Sequence, residues 1–323
     1  MAMDVSSLSM ILRKGIVFKD FDGNPVNIFN FLKNQGVNTI RLRTWVGNDI
    51  NYNKDSILKI SKMARSQGLL IWLDLHYSNT WADPGNQEIP IEWNHNNLDS
   101  LMIQVSAYIS QIVKDFNPDY IQLGNEIDGG FLWPLGNISD TSNFYNLCRN
   151  AVASVKSVSS DTRIIYHIAN YKKADWFFNE LQKHNVKYDI GGVSYYPKWH
   201  GNNIDSLFET LNRVYTTTGK RMIIAENSYP WTMQWADWTN NIIGWKQDLH
   251  PEYPATPEGQ ASFVEMLIRS CKSMPFASGY AYWEGLWVAY DGPESKTGSP
   301  WENQACFDFD FKALPVWKVL GAD

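Results

Sequence analysis

Short runs of apolar and β-branched residues alternate with amphipathic stretches from one end of this chain to the other. The runs predict seven strands, at residues 39–42, 69–75, 120–123, 163–168, 190–194, 221–225 and 279–283, and residues 3–6 supply an eighth. Helical spacing predicts helices at 28–33, 56–66, 98–116, 142–157, 175–183, 204–217 and 257–273. Eight βα units favour an α/β fold, namely a single (β/α)8 TIM barrel over residues 1–323. A doubly wound sheet is less favoured, because no nucleotide-binding glycine motif follows the first strand.

Charge and composition exclude several classes of partner. The 323 residues carry a net charge of −6 without a block of like charges, which argues against nucleic acid. No apolar run reaches the roughly 18 residues of a transmembrane helix, so we expect no membrane partner. Cys148, Cys271 and Cys306 are widely spaced and odd in number, and predict neither a disulfide framework nor a metal motif. We expect a monomer.

Polar side chains recur where the predicted strands end, which is where barrel enzymes place their reacting groups. In chain order they are Arg41 and Arg43, Asp74 and His76, Asn125 and Glu126, His167 and Asn170, Tyr195 and Tyr196, Glu226, and Trp283 and Glu284. Two of them, Glu126 and Glu226, are carboxylates at the ends of buried strands, where they add nothing to packing. Each alone could cap a loop or pair with an arginine, but together they predict the carboxylate pair of a glycoside hydrolase.

The neighbours of the two glutamates suggest different roles for them. Asn125 can hydrogen-bond a sugar 2-hydroxyl, while Glu126 in a partly apolar setting would have a raised pKa and donate a proton. Glu226 would stay ionised if an arginine of the second strand and a tyrosine hydroxyl of the sixth reach it. Arg41 and Arg43 both face the interior, and a structural ion pair is the alternative for either. We expect Arg43, which is nearer the end of the strand, to be the arginine that reaches Glu226.

Aromatic residues are unusually frequent, with 15 Trp, 16 Tyr and 15 Phe. A tryptophan within a core segment usually serves packing alone. Many here lie instead in loop-like sequence beside Pro, Gly, Asn or Asp: Trp81, Trp133, Trp199, Trp231, Trp235, Trp287 and Trp301. Loop tryptophans in this number indicate a cleft for flat apolar faces, such as those of sugar rings.

Seven segments of the chain resemble glycoside hydrolase family 53, the arabinogalactan endo-β-1,4-galactanases of clan A. They are IRLRTWV (40–46), LDLHYSNTWADPGNQ (73–87), QLGNEIDGGFLWPLG (122–136), GGVSYYPKWHG (191–201), AENSYPWT (225–232), YPATPEGQ (253–260) and WENQACFDFDFKALP (301–315). The similarity covers essentially the whole chain in order, and the W-A-D-P, G-N-E and Y-Y-P-x-W-H-G blocks are highly specific together. The resemblance implies a catalytic (β/α)8 barrel that hydrolyses β-1,4-galactan, from the type I arabinogalactan side chains of pectin, to galacto-oligosaccharides.

The resemblance also implies a retaining mechanism, with Glu126 as acid/base and Glu226 as nucleophile. Asn125, Arg43 and a tyrosine of the sixth strand would orient them, and Trp283 would form a floor under the −1 sugar. The remaining expected substrate contacts are Arg41, His76, Trp81, Asp83, Tyr195, Tyr196, Trp199, His200, Trp231 and Trp287. For such an enzyme we expect a secreted, cell-surface or periplasmic location.

Two other functions stay open from the residues alone. Another clan A glycanase, such as a mannanase or glucanase, would share the glutamates but not the W-A-D-P and Y-Y-P-x-W-H-G loops. A glycan-binding barrel without activity would lack a glutamate, and both are present. A serine hydrolase is disfavoured, since no G-x-S-x-G motif follows a strand.

We expect no cofactor. His76 beside Asp74 suggests a metal corner, but without a second His or Cys nearby a hydrogen-bonding role is favoured. Asp291 and Glu294 after the eighth strand could hold calcium, although this loop is short compared with family members that bind calcium there and lacks the calcium-loop pattern.

Overall fold

The computed structural model describes residues 1–93 and 97–321 of the chain. Within these residues eight strands form one closed sheet. They are β1 (Ala2–Asp4), β2 (Thr39–Thr44), β3 (Leu70–Leu75), β4 (Tyr120–Leu123), β5 (Arg163–Asn170), β6 (Ile190–Ser194), β7 (Arg221–Asn227) and β8 (Ala277–Tyr282).

Every strand pairs in parallel with the strand before and after it, and β1 pairs with β8 to close the barrel. The predicted (β/α)8 TIM barrel is therefore confirmed, and all eight predicted strands lie within a few residues of the observed ones. The pairing register shifts at two places. The first is between Ile168 and Asn170, where β5 pairs with β6, and the second is between Val193 and Ser194, where β6 pairs with β7. Such irregularities re-aim side chains near a barrel rim.

Seven helices occupy the predicted positions around the barrel: α2 (Ile28–Asn34), α3 (Lys54–Ser66), α4 (Leu98–Phe116), α5 (Thr141–Val158), α6 (Ala174–Lys183), α8 (Ile204–Thr218) and α9 (Pro257–Ser273). Three short helices were not predicted: α1 (Leu8–Arg13), α7 (Pro197–His200) and α10 (Trp317–Leu320). Helices this short carry too few apolar repeats to give a periodic signal. No helix in the described parts of the chain is long and apolar enough to cross a membrane.

The helix starts follow from the sequence. Asn27, Asn53, Asn97, Asp140 and Asn203 each precede a helix, and the side chain of each accepts a hydrogen bond from a backbone N–H of the first turn. These side chains satisfy donors that a helix start leaves without an intrahelical partner, so they set where each helix begins.

The barrel interior changes from apolar to charged along the strands. Its lower layer is a separate apolar cluster of Ala2, Trp72, Ile165, Ile190, Ile223, Ala225 and Ala281. Two residues further along β3 and β5, the inward positions carry Asp74 and His167, both fully buried. Because side chains alternate along a strand, the charged layer lies between the apolar cluster and the carboxyl ends of the strands. This layer supports the functional site.

Candidate active site

A cleft of about 710 Å³ opens at the carboxyl ends of the strands. It is lined by His76, Trp81, Ala82, Asp83, Pro84, Asn125, Glu126, Ala169, Asn170, Tyr196, Trp199, His200, Glu226, Ile242, Trp283, Trp287, Pro300 and Trp301. Both glutamates and nine of the predicted substrate contacts are among these residues. Of the other four, Arg41 and Arg43 lie beneath the cleft wall, while Tyr195 and Trp231 point elsewhere.

Glu226 lies near the end of β7 and is held by Arg41. The guanidinium donates from Nη2 to Glu226 Oε1 at 2.8 Å, and both side chains are almost completely buried. The expectation that Arg43 would reach Glu226 is therefore wrong. Arg43 is one inward position further along β2, where it meets Glu284 instead.

Arg41 is the centre of a buried polar network. Its Nη1 donates to Asp4 Oδ2 at 2.7 Å and its Nη2 to Asp74 Oδ2 at 2.9 Å. The same Nη2 also reaches Asn125 Oδ1 at 3.0 Å. Paired carboxylates on two sides hold the guanidinium in one orientation, which places its positive charge against Glu226.

Glu126 follows β4 in a left-handed backbone conformation, with φ at +50°. Its side chain is partly exposed to the cleft, and Ser194 Oγ donates to its Oε1 at 2.5 Å. Burial raises the pKa of Glu126 to about 7, against the opposing effect of the Ser194 hydrogen bond. A glutamate with this pKa is mostly protonated below neutral pH, as a general acid must be.

Glu226 differs from expectation in its titration as well. Hydrogen bonds and an arginine were expected to hold its pKa down, but burial outweighs the opposing Arg41 charge and raises the pKa above its usual value. The negative charge of Glu126 also raises the pKa of Glu226, so the two groups titrate as a pair. Because only Glu226 contacts a guanidinium, the single negative charge of the half-protonated pair belongs on Glu226 and the proton on Glu126.

A hydrogen-bonded chain under Glu126 was not predicted. The Gln122 amide lies 3.1 Å from His167 Nδ1, and His167 Nε2 lies 3.0 Å from Ser194 Oγ. Burial holds the pKa of His167 well below its ordinary value, so the ring is neutral. With the amide donating to Nδ1, the ring proton is on Nε2 and is donated to Ser194, whose own proton goes to Glu126. Ser194 is inward on β6, but a lone serine at a strand end gives no sequence signal.

Arg43 lies beneath the aromatic part of the cleft. Its Nη1 is in contact with Glu284 Oε1, and Ser7 Oγ donates to the other oxygen of that carboxylate at 2.6 Å. The guanidinium carbon is 4.1 Å from the Trp81 ring centre and 4.5 Å from that of Tyr52. Arg43 therefore supports Trp81 from below by a cation–π contact rather than touching the cleft.

His76 uses both ring nitrogens within the protein. Nδ1 accepts from the Ala82 backbone N–H at 3.0 Å, so the ring proton is on Nε2, 3.1 Å from Asp74 Oδ2. Burial lowers the pKa of His76 and keeps the ring neutral. With both ring nitrogens engaged, His76 is a hydrogen-bonding residue at the cleft wall, as the sequence favoured.

Asn125 faces both the network and the cleft. Its Oδ1 accepts from Arg41, and Nδ2 donates to the Ala82 carbonyl at 2.8 Å. An amide nitrogen carries two protons, so the second remains for a ligand in the cleft.

The two tyrosines after β6 have different roles. Tyr196 lines the cleft, and burial together with the charges of Glu226 and Glu126 raises its pKa well above the usual value. Tyr195 turns away from the cleft, because its hydroxyl donates to the Gly201 carbonyl at 2.8 Å. The expectation that Tyr195 contacts the substrate is therefore wrong. Side chains alternate between the two faces of a strand, so only one of two consecutive tyrosines can face the cleft.

Aromatic rings form the cleft walls. Trp81 stacks near Trp287 with ring centres 5.9 Å apart, and Trp283 packs edge-on against Trp301 at 4.7 Å. Trp199 is 51% exposed and stacks 6.4 Å from Trp301. Trp301 is one of the loop tryptophans of the sequence, and no feature of its neighbours distinguishes it from the others as a cleft residue.

The expectation that Trp231 contacts the substrate is also wrong. Its indole N–H donates to the Glu302 carbonyl at 3.3 Å, and its ring packs 4.7 Å from that of Phe309. It is not among the described residues that line the cleft. Asp83 and His200, in contrast, do line it; burial lowers the pKa of His200 to about 4, so this ring is neutral.

The loop between Trp287 and Trp301 was the candidate for calcium. Asp291 Oδ1 pairs with Lys14 at 2.5 Å, and its Oδ2 accepts from the Ser295 hydroxyl at 3.1 Å, while Glu294 is exposed. Among residues 1–93 and 97–321, no group of three or more His, Cys, Asp or Glu side chains is arranged to hold a metal ion. The carboxylate of Asp291 already faces the ammonium of Lys14, so these donors do not fit calcium.

The sequence model of Glycosyl hydrolase family 53 matches residues 1–320. The solved Ignisphaera aggregans GH53 catalytic domain superposes with a TM-score of 0.93 at 33% identity, covering 100% of this chain and 96% of that one. The arabinogalactan endo-beta-1,4-galactanase of Cellvibrio japonicus is 30% identical over 99% of this chain and 90% of its own length. The probable arabinogalactan endo-beta-1,4-galactanase A of Neosartorya fischeri is 32% identical over 88% of this chain and 83% of its own length. With a family match from end to end and relatives of this similarity, this chain belongs to glycosyl hydrolase family 53.

Proposed function

We propose that this chain hydrolyses internal linkages of β-1,4-galactan with net retention of anomeric configuration, with Glu226 as nucleophile and Glu126 as acid/base. The observation that carries the proposal is the contrast between two glutamates in one aromatic cleft. Glu226 is held by the positive charge of Arg41, and Glu126 by the neutral hydroxyl of Ser194. Two carboxyl groups with such different environments are what the acid and the nucleophile of a retaining glycosidase require.

In the first step Glu226 attacks the anomeric carbon. Its Oε1 is engaged by Arg41, so Oε2 forms the new bond as the bond to the leaving oxygen breaks. Glu126 gives its proton to that oxygen, and the electron pair of the broken bond becomes the lone pair of a sugar hydroxyl. The protonated oxygen of Glu126 is Oε2, because Oε1 already accepts from Ser194.

In the second step a water takes the place of the leaving sugar. Glu126, now a carboxylate, accepts a proton from this water as the oxygen attacks the anomeric carbon. The bond to Glu226 Oε2 breaks and the carboxylate returns to its contact with Arg41. Each step inverts the anomeric carbon, so the product keeps the β-configuration of the substrate.

The cleft walls suit a polysaccharide. Trp283 would lie under the sugar at −1, and the second amide proton of Asn125 would meet its 2-hydroxyl. Trp81, Trp287 and Trp199 offer further ring faces on both sides. The relatives named above as arabinogalactan galactanases support β-1,4-galactan as the substrate, and we assign this enzyme to the type I arabinogalactan side chains of pectin. A polymer of this kind has to be cut outside the cell, so we place the enzyme there, acting as a monomer.

The test is a reducing-sugar assay on galactan, mannan, xylan and β-glucan, with Glu226→Ala and Glu126→Gln as controls. We expect activity on galactan alone and its loss in both variants. Turnover of mannan or β-glucan in preference to galactan would assign the chain to another glycanase activity. Binding of galactan without turnover by the unmodified protein would make it a glycan-binding barrel, and would refute the proposal.

A further inference from the structure

Large apolar side chains are exposed on the segment that joins β7 to α9. Trp235, Trp238, Ile242 and Trp245 lie within eleven residues and are 48%, 56%, 41% and 71% exposed. Exposed tryptophans clustered in this way differ from the scattered apolar residues that any protein surface carries, and they mark binding sites.

This exposed segment is continuous with the cleft. Ile242 lines the cleft, and its backbone N–H donates to the carbonyl of Pro300, another lining residue, at 3.0 Å. Trp199, half exposed, lines the same region. Trp245 follows Ile242 by three residues, so its backbone lies within about 11 Å of the cleft edge.

Lys198 ties these residues together. Its ammonium donates to the Ile242 carbonyl at 2.6 Å and to Asp248 Oδ2 at 3.1 Å. Asp248 Oδ2 also accepts from the Trp245 backbone N–H at 3.2 Å. Lys198 precedes Trp199 on α7, so one side chain links the backbone positions of both exposed tryptophans. With the backbone anchored in this way, only the side-chain torsions of the indole remain to be ordered when a ligand binds.

The chemistry of the patch fits a neutral chain with apolar faces. Lys198 and Asp248 pair with each other, so the patch presents no unpaired charge to a ligand. Lys296 lies 5.8 Å over the ring of Trp238, and Lys198 lies 5.9 Å over that of Trp199, so each of these two indoles has an ammonium beside one face. Trp245 is the most exposed of the group at 71%, so most of its indole is available for stacking.

We propose that Trp245, with Ile242 and Trp199, forms an outer subsite that binds galactosyl residues of the same polysaccharide chain beyond those at the two glutamates. The inference rests on the proposed function and deepens it. The subsite gives the enzyme a preference for long chains, because only a substrate that extends past Trp199 reaches the Trp245 indole.

The test compares Trp245→Ala with Trp176→Ala. Trp176 on α6 is 50% exposed and is not among the described residues that line the cleft, so it is a matched control. Hydrolysis is followed for galacto-oligosaccharides of increasing length and for polymeric galactan. We expect Trp245→Ala to lower kcat/KM about tenfold on the polymer and the longest oligosaccharides, as for a buried aromatic contact, and to leave the shortest cleaved substrate unchanged.

Several results would overturn the subsite. Equal kcat/KM for Trp245→Ala and the unmodified protein on all lengths would do so, as would an equal loss on all lengths. A dimer in analytical ultracentrifugation that Trp245→Ala dissociates, with length preference intact, would assign the patch to a second copy. Failure of the proposed function is a separate outcome, since the unmodified protein would then leave galactan uncut.

A second variant tests the role of the lysine. Lys198→Met keeps both tryptophans but removes the link between them, and we expect part of the length preference to be lost on the polymer alone. A Lys198→Met variant with the unmodified length preference would overturn the anchoring role. Neither Lys198 nor Trp245 contacts the glutamates, so cleavage of the shortest substrate reports that the active site is intact.

Discussion

Replacing Ser194 by alanine should raise the pKa of Glu126 and move the alkaline limb of the activity profile. Ser194 donates to Glu126 Oε1 at 2.5 Å, and this hydrogen bond opposes the effect of burial on the pKa of Glu126. A hydroxyl stabilises an ionised carboxylate more than a neutral carboxylic acid. Without the Ser194 hydroxyl, the carboxylate form of Glu126 loses more stabilisation than the acid form. Glu126 therefore holds its proton to higher pH.

The size of the shift follows from the energies of the two hydrogen bonds. A hydrogen bond to a charged group contributes about 1.5–3 kcal/mol and one between neutral groups about 1 kcal/mol. The difference is about 0.5–2 kcal/mol, which corresponds to about one pKa unit. The pKa of Glu126, about 7 in the intact protein, would then rise to about 8 in Ser194→Ala.

The assay is kcat/KM for galactan as a function of pH, which reports the groups of the free enzyme. Glu126→Gln, measured with an activated aryl galactoside whose leaving group needs no proton, assigns the limb to Glu126. Ser194→Ala should move only the alkaline limb, because the contact of Glu226 with Arg41 is untouched. An alkaline limb that stays in place or moves to lower pH in Ser194→Ala would refute the reasoning.

Three further predictions follow from the site and the fold. Glu226→Ala should abolish turnover of galactan but not binding, and added azide should restore cleavage with the α-glycosyl azide as product; full hydrolysis by this variant would place the nucleophile elsewhere. Arg41→Lys should lower kcat about 100-fold, as for loss of one charge-stabilising donor, because an ammonium cannot hold Asp74 and Glu226 together. Arg43→Lys should mainly raise KM, because Arg43 supports Trp81. A larger loss of kcat in Arg43→Lys than in Arg41→Lys would contradict the assignment. Burial raises the pKa of Glu302 to about 7. The unfolded chain therefore releases this proton at lower pH than the folded one, stability falls as pH rises from about 4.5 to 7, and Tm should drop less over this interval in Glu302→Gln.

The barrel was predictable because it depends on local pattern. Strand residues such as those at 70–73 and 222–225 are continuous apolar runs, and α4 carries an apolar stripe from Leu101 to Phe116. Alternation of the two patterns eight times leaves few other folds. The short α7 was missed because four residues starting at a proline show no period, although α7 carries both Trp199 and His200.

The choice between Arg41 and Arg43 could not be made from the sequence. Both face inward on β2 and differ only in height along the barrel axis. Height relative to Glu226 depends on the stagger of strands that are far apart in sequence, and on the register shift at β6 and β7. The orientation of the two tyrosines is different, because simple alternation from Ser194 along the chain places Tyr196 inward and Tyr195 outward.

Ser194 shows a different limit. Its role depends on His167 from β5 and Glu126 after β4, so three strand ends have to meet before its hydroxyl has a function. The glutamates could be recognised because a carboxylate at the end of a buried strand is costly wherever it points. A serine there costs little, so the residues that tune the site are harder to find in a sequence than those that react.

The central claim, that Glu226 and Glu126 act as nucleophile and acid/base, is tested most directly by the configuration of the first product. Proton NMR of galactan hydrolysis, recorded before mutarotation, should show the β-anomer at the new reducing end. That outcome requires the two carboxyl groups to work about 5–5.5 Å apart with substrate bound. An α-anomer as the first product would mean that water attacks directly, and would contradict the covalent role of Glu226.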